Sequence, residues 1–255
     1  MLGMVAPGPM NNADFAIIAP YVYTALLLNA ALCVLAYREV RAVWEELPPM
    51  KWRTISFLLG LMAVLVASLL EFPFIAPLKF GEKSASLFAL FLLGMAVGPI
   101  EEFSKLLPVK IFHEELWVLW KKAVGTAFFF GLIEAVLYSI VLTVAGEPVM
   151  ALLRFVLVGF HVALTAISAT ILLVEGSWGG YIRASVYHSL YDLPVLLFAG
   201  GYTGPLLYAL MLVGVVAIIA IIVDFALSVK KAGRLKVGEI PGEGFVYPPF
   251  GDFDL

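Results

Sequence analysis

The chain has 255 residues, 62% of them hydrophobic and 14% charged, with a net charge of −3 and a mean hydropathy of +1.01. No soluble domain of this size could clothe its surface with so few polar residues, so a globular cytosolic or secreted protein is excluded and a polytopic membrane protein is required. The one cysteine, Cys33, leaves no disulfide framework and no thiolate metal site.

Seven apolar runs of about 20 residues, the length that crosses about 30 Å of hydrocarbon, predict an all-α transmembrane bundle. They cover 15–37, 55–78, 84–107, 124–144, 149–174, 181–199 and 205–229. The breaks fall on turn-forming residues: Pro48 and Pro49, then Gly81, Gly146 with Pro148, Gly176 to Gly180, and Gly200 to Gly204. The stretch 112–120 reads as an extra interfacial helix with Trp117 and Trp120 at headgroup level. One transmembrane domain, 1–238, is expected, followed by a mobile cytoplasmic tail over 239–255, where Gly, Pro and Glu collect. Residues 1–14 carry no Lys or Arg and lack the basic region of a cleaved signal peptide.

Basic residues fix the expected orientation. Arg38, Arg41, Lys51 and Arg53 follow the first run, Lys110, Lys121 and Lys122 the third, and Lys230, Lys231, Arg234 and Lys236 the seventh; Arg183 opens the sixth. The alternate connections hold only Lys79, Lys83 and Arg154. Positive-inside counting then places the chain in a cell membrane with its N-terminus outside and its C-terminus cytoplasmic.

The third run ends in Glu101, Glu102 and Lys105, after Pro99 and before Pro108. Ionisable groups at membrane depth mark a functional site by default. Glu101 and Lys105 are four residues apart and share a helical face, whereas Glu102 points about 100° away, towards another span. Pro99 is expected to kink the helix at the pair, and Pro108 to close it. Glu134 lies mid-run in the fourth span, His161 and Thr165 are four apart in the fifth, and His188 and Asp192 are four apart in the sixth. At 1.5 Å per residue these groups lie about 10–20 Å from the cytoplasmic face, close enough in depth to form one polar pocket within the membrane. Asn29, Glu71 and Asp224 are isolated and read as structural.

In chain order the residues give Glu-Glu-x-x-Lys (Glu101, Glu102, Lys105), Phe-x-x-x-Glu (Phe130, Glu134), His with Thr at i+4 (His161, Thr165) and His-x-x-x-Asp (His188, Asp192). This resembles the PrsW family of intramembrane proteases, a branch of the superfamily that includes the CAAX prenyl endopeptidases and bacteriocin-processing enzymes. The CAAX-type enzymes carry His at the position of Glu134. The resemblance covers residues 84–200 and implies hydrolysis of a membrane-anchored protein, such as an anti-sigma factor, with the bilayer as surroundings and no nucleic-acid partner.

Two chemistries suit the set. In one, Glu101 is a general base, His161 holds the water, and Glu134, His188 and Asp192 orient the shell. In the other, His161, His188 and Glu134 bind Zn2+. The sequence carries no His-Glu-x-x-His helix to support zinc. A proton-coupled transporter would also place Glu, His and Asp in consecutive spans, but the chain shows no internal repeat. A non-catalytic binding or scaffold protein of the same fold is the other alternative. A retinal protein is disfavoured because the seventh run holds no lysine.

Overall fold

Helices make up the regular structure of the computed structural model, which describes residues 12–76, 78 and 86–235; the tail read over 239–255 lies outside them. The order is α1 (Asn12–Glu46), α2 (Arg53–Ile75), α3 (Leu87–Ile111), α4 (Leu116–Val144), α5 (Pro148–Leu153), α6 (Leu157–Glu175), α7 (Gly179–Ala199) and α8 (Pro205–Ser228). Short 3-10 turns occupy Arg154–Val156 and Val229–Arg234. Six stretches are long and apolar enough to cross a membrane. They comprise α1 to α4, the stretch Pro148–Glu175, and α8 with its 3-10 turn. α7 is long enough at 21 residues, but Arg183, His188 and Asp192 dilute its apolar surface. It nevertheless packs against α3, α6 and α8. The chain is therefore a multi-pass, all-α helical bundle.

Several element ends differ from the sequence reading, each for a local reason. α1 continues past Tyr37 to Glu46 because Val43 stays buried in the bundle, and Arg41 pairs with Glu45 one turn on at 2.7 Å. Its 35 residues span about 52 Å, well beyond the hydrocarbon thickness. Pro108 does not close α3: the helix runs on to Ile111, and the Phe112 N–H donates to the Pro108 carbonyl at 3.2 Å. The fifth run is broken, since α5 ends at Leu153 and a 3-10 turn intervenes before α6.

The interfacial helix expected over 112–120 is absent. Residues from Leu116 onward are the first turns of α4, and Trp117 and Trp120 are buried. The Trp120 indole donates to Thr170 Oγ1 on α6 at 2.9 Å, so the tryptophan faces the bundle and not the headgroups. Next to it, Lys121 Nζ donates to the carbonyls of Trp44, Leu47 and Pro48 at 3.0, 3.3 and 2.7 Å. An ammonium there satisfies carbonyls that the end of α1 leaves without intrahelical partners.

α6 is the central helix. Every residue from Val158 to Leu173 is buried, with α1, α3, α4, α7 and α8 packed around it. α3 and α7 approach most closely through Gly94 and Gly98, the small-x-x-x-small spacing that lets membrane helices bring their backbones together. A Cβ on Gly98 would strike Ser185 O, and would lie 2.6 Å from Ser189 Oγ. Pro99 has no N–H for the Met95 carbonyl, and the Ser189 hydroxyl donates to that carbonyl at 3.3 Å. The Tyr181 hydroxyl donates to Pro99 O at 3.1 Å. The proline thus fastens α3 to α7 just before the paired glutamates.

Candidate functional site

This seam delivers the third-span residues to the middle of the bundle. Lys105, with a fully buried side chain, donates to Glu102 Oε1 at 2.6 Å and lies 3.5 Å from Glu101 Oε2. Glu102, not Glu101, is therefore its nearer partner: i,i+3 and i,i+4 are both neighbours on a helix, and neighbouring helices decide between them. The Thr165 hydroxyl from α6 donates to Glu102 Oε2 at 3.2 Å, and His188 Nδ1 from α7 lies 3.0 Å from Glu102 Oε1. Glu102 is thus a fully buried carboxylate with three partners, the condition under which a buried charge is tolerated.

Glu101 is held quite differently. Its Oε2 lies 3.5 Å from Lys105, 3.6 Å from His188 Nε2 and 3.7 Å from His161 Nδ1. His161 is gripped on both sides of its ring. Nε2 is 2.8 Å from Glu134 Oε2 on α4, and Nδ1 is 3.1 Å from Lys105 Nζ. A ring nitrogen that close to a carboxylate carries the proton, so Nδ1 presents its lone pair to the ammonium. Gly131 makes the approach possible, because a Cβ there would sit 2.9 Å from the His161 ring. His188 Nε2 is also 3.3 Å from Asp192 Oδ2, its i+4 neighbour.

All seven ionisable residues of the four motifs are thus brought together, with one change of grouping. Glu101, His161 and His188 each offer a ligand atom, all within 4.8 Å of one another, and so could hold a metal ion. Glu134, expected as the third ligand, instead backs His161 from the far side. The trio's remaining imidazole nitrogens both face carboxylates, Glu134 and Glu102, an arrangement that supports metal-binding histidines. Opposing this, the Lys105 ammonium addresses the same His161 nitrogen that a metal would need.

A cavity of about 70 Å³ adjoins Glu101, with room for a few waters. Its lining includes Glu101, Glu134, His161, His188 and Asp192, together with Glu71, Tyr138, Arg154 and Tyr191. The last four were missed in the sequence. Glu71 read as an isolated structural charge, yet its buried Oε1 has no hydrogen-bond partner among the described residues. Arg154 counted as a connecting-loop cation, but the broken fifth run turns it inward, 3.8 Å from Glu134 and 3.8 Å above the Tyr138 ring. Tyr138 is one turn beyond Glu134, the only signal that could have found it. Asn29 and Asp224 do hold structure, Asn29 bonding Tyr191 at 3.4 Å and Asp224 tying Arg183 of α7 to α8 at 3.0 Å.

The cavity runs one way along the bundle. Side chains of Glu102 and Lys105 are 0% exposed, Glu101 10%, and Arg154, Glu134 and Asp192 20–24%. The more exposed members lie towards the ends of α2, α4 and α7 and the start of α6. The opposite end is closed by packed side chains including Leu106, Val109, Leu119, Trp120, Ile167 and Leu172. No family model, curated protein or solved structure matches the chain.

Proposed function

We propose that this chain is an intramembrane endopeptidase that hydrolyses a peptide bond of a membrane-anchored protein, with Glu101 as general base. One observation carries the reading: of two adjacent buried glutamates, Glu102 is saturated with partners while Glu101 is loosely held and lines a water-sized cavity. A residue that must take and return a proton needs that freedom, and its neighbours need to be fixed. Glu101 takes a proton from a cavity water as the water oxygen bonds to the scissile carbonyl carbon, and the carbonyl π pair moves to its oxygen. As that pair returns, the C–N bond breaks, and the leaving nitrogen receives the proton from Glu101. Lys105, Thr165 and His188 hold Glu102, while Glu134 holds His161 facing Glu101. The order of motifs resembles that of the PrsW family, a resemblance that favours proteolysis over transport or scaffolding.

The cavity opens towards the end of the bundle poor in Lys and Arg. With the basic end cytoplasmic, the site is entered from outside. The substrate is then a single-span protein whose extracytoplasmic juxtamembrane segment reaches into the cavity, as an anti-sigma factor's would.

The Glu101, His161 and His188 trio favours a second version of the same activity. These three residues would hold zinc, the metal that suits two imidazoles and a carboxylate. When bound, zinc supplies a water that is nucleophilic at neutral pH. Metal analysis of protein purified without chelator separates the two. About one zinc equivalent, with activity lost on chelation, supports the metal version. Chelator-resistant cleavage by metal-free protein supports Glu101 alone.

Activity itself is tested by cleavage of a single-span reporter. Glu101→Gln keeps the shape of the side chain and removes the base, so cleavage falls at least about a hundredfold while folding survives. A Glu101→Gln protein that cleaves at the wild-type rate removes Glu101 as the base, and a wild-type chain that cleaves no reporter removes the hydrolytic reading.

A further inference from the structure

Peptide hydrolysis places a negative charge on the carbonyl oxygen, and a protease needs donors aimed at it. Most of the charged wall of this cavity is wrong for that purpose. Glu71, Glu101, Glu134 and Asp192 are carboxylates, Lys105 lies fully buried beneath them and is committed to Glu102, and His188 is flanked by Glu101, Glu102 and Asp192. Arg154 is the one arginine or lysine lining the cavity among the described residues.

Its guanidinium is fixed but not consumed. Its central carbon lies 3.8 Å from the centre of the Tyr138 ring, a cation–π contact that holds the group at the cavity wall. Its one ion pair among the described residues, to Glu134, spans 3.8 Å and is too long for a hydrogen bond. The N–H groups are therefore poised for another acceptor. The residue begins the 3-10 turn between α5 and α6, so the break in the fifth run is what brings a cation to this depth.

Resting on the endopeptidase reading, we infer that Arg154 binds the scissile carbonyl oxygen and stabilises the oxyanion formed when water attacks, Glu101 and Arg154 acting from different walls of the cavity. The donor strengthens its grip as charge develops, so its removal lowers kcat more than it raises KM.

The test uses the full chain in proteoliposomes with the single-span reporter. Wild type, Arg154→Lys, Arg154→Met and Arg154→Met combined with Glu134→Gln are compared for kcat, KM and melting temperature. A phosphinic peptide replaces the bond that mass spectrometry of wild-type products identifies, mimicking the anionic tetrahedral intermediate. Arg154→Met should lose about a hundredfold or more in kcat, with KM within about threefold, and should weaken phosphinate binding by a similar factor. Arg154→Lys should recover part of both, and Glu134→Gln should not rescue Arg154→Met. A kcat for Arg154→Met within about threefold of wild type overturns the inference. So does rescue by Glu134→Gln, which would make Arg154 a partner for Glu134 alone. If wild type itself cleaves no reporter, the endopeptidase reading fails first and the inference falls with it.

Discussion

At the scale of single residues, two adjacent glutamates of identical chemistry are held in opposite ways by their neighbours. Glu102 neutralises a buried ammonium and accepts from Thr165 and His188, so Glu102→Gln leaves the buried Lys105 only its longer 3.5 Å contact with Glu101. Breaking such a pair costs about 3–5 kcal/mol, and thermal unfolding should show a large loss of stability. Adding Lys105→Met removes the poorly paired charge and should restore much of it. If Glu102→Gln melts like wild type, the ion pair is not the structural centre described here. Glu101→Gln should change the melting temperature little, because no short hydrogen bond is lost. The seven ionisable residues that meet here stood out in the sequence because such side chains are rare in apolar runs, whereas Glu71, Tyr138, Arg154 and Tyr191 did not. The pairing of the seven was not legible, because it depends on where α6 and α7 place Thr165 and His188.

At the scale of elements, the seam between α3 and α7 sets the geometry of the site. A methyl at position 98 would collide with Ser185 and Ser189 and force α7 away, carrying His188 from Glu102. Gly98→Ala should destabilise the bundle by about 1–3 kcal/mol, the usual cost of overpacking, and depress reporter cleavage by more than that loss explains. Near-normal activity in the variant would show that α7 can shift without disturbing the site. Helices themselves were readable from apolar length, but several of their ends were not. α1 extends where Val43 packs into the bundle, α3 passes through a proline, and the early turns of α4 set Trp120 against Thr170. Such ends are decided by contacts between helices, which a periodicity cannot carry. The break that turns Arg154 inward belongs to the same class.

At the scale of the whole molecule, orientation decides which compartment the cavity faces. Truncation fusions ending at Lys51, Lys122 and Arg234 should report cytoplasm, and those ending at Gly146 and Gly201 the opposite side. An extracytoplasmic signal at any of the first three would reverse the side of entry argued above.

The packed end of the bundle has a consequence for the energised membrane. Glutamates, histidines and waters in a row are the parts of a proton wire, and a wire crossing the full bilayer would dissipate the proton gradient of any cell that carried it. Here the cluster of titratable side chains abuts the buried apolar residues Leu106, Leu119, Trp120 and Ile167, so the chain is expected to hold a proton gradient. Trp120→Gly would open a wet path past Thr170, since removing so large a buried side chain leaves a cavity beside a hydroxyl. Proteoliposomes carrying an internal pH-sensitive dye should stay tight with the wild-type chain and leak with this variant; equal tightness in both would place the seal elsewhere.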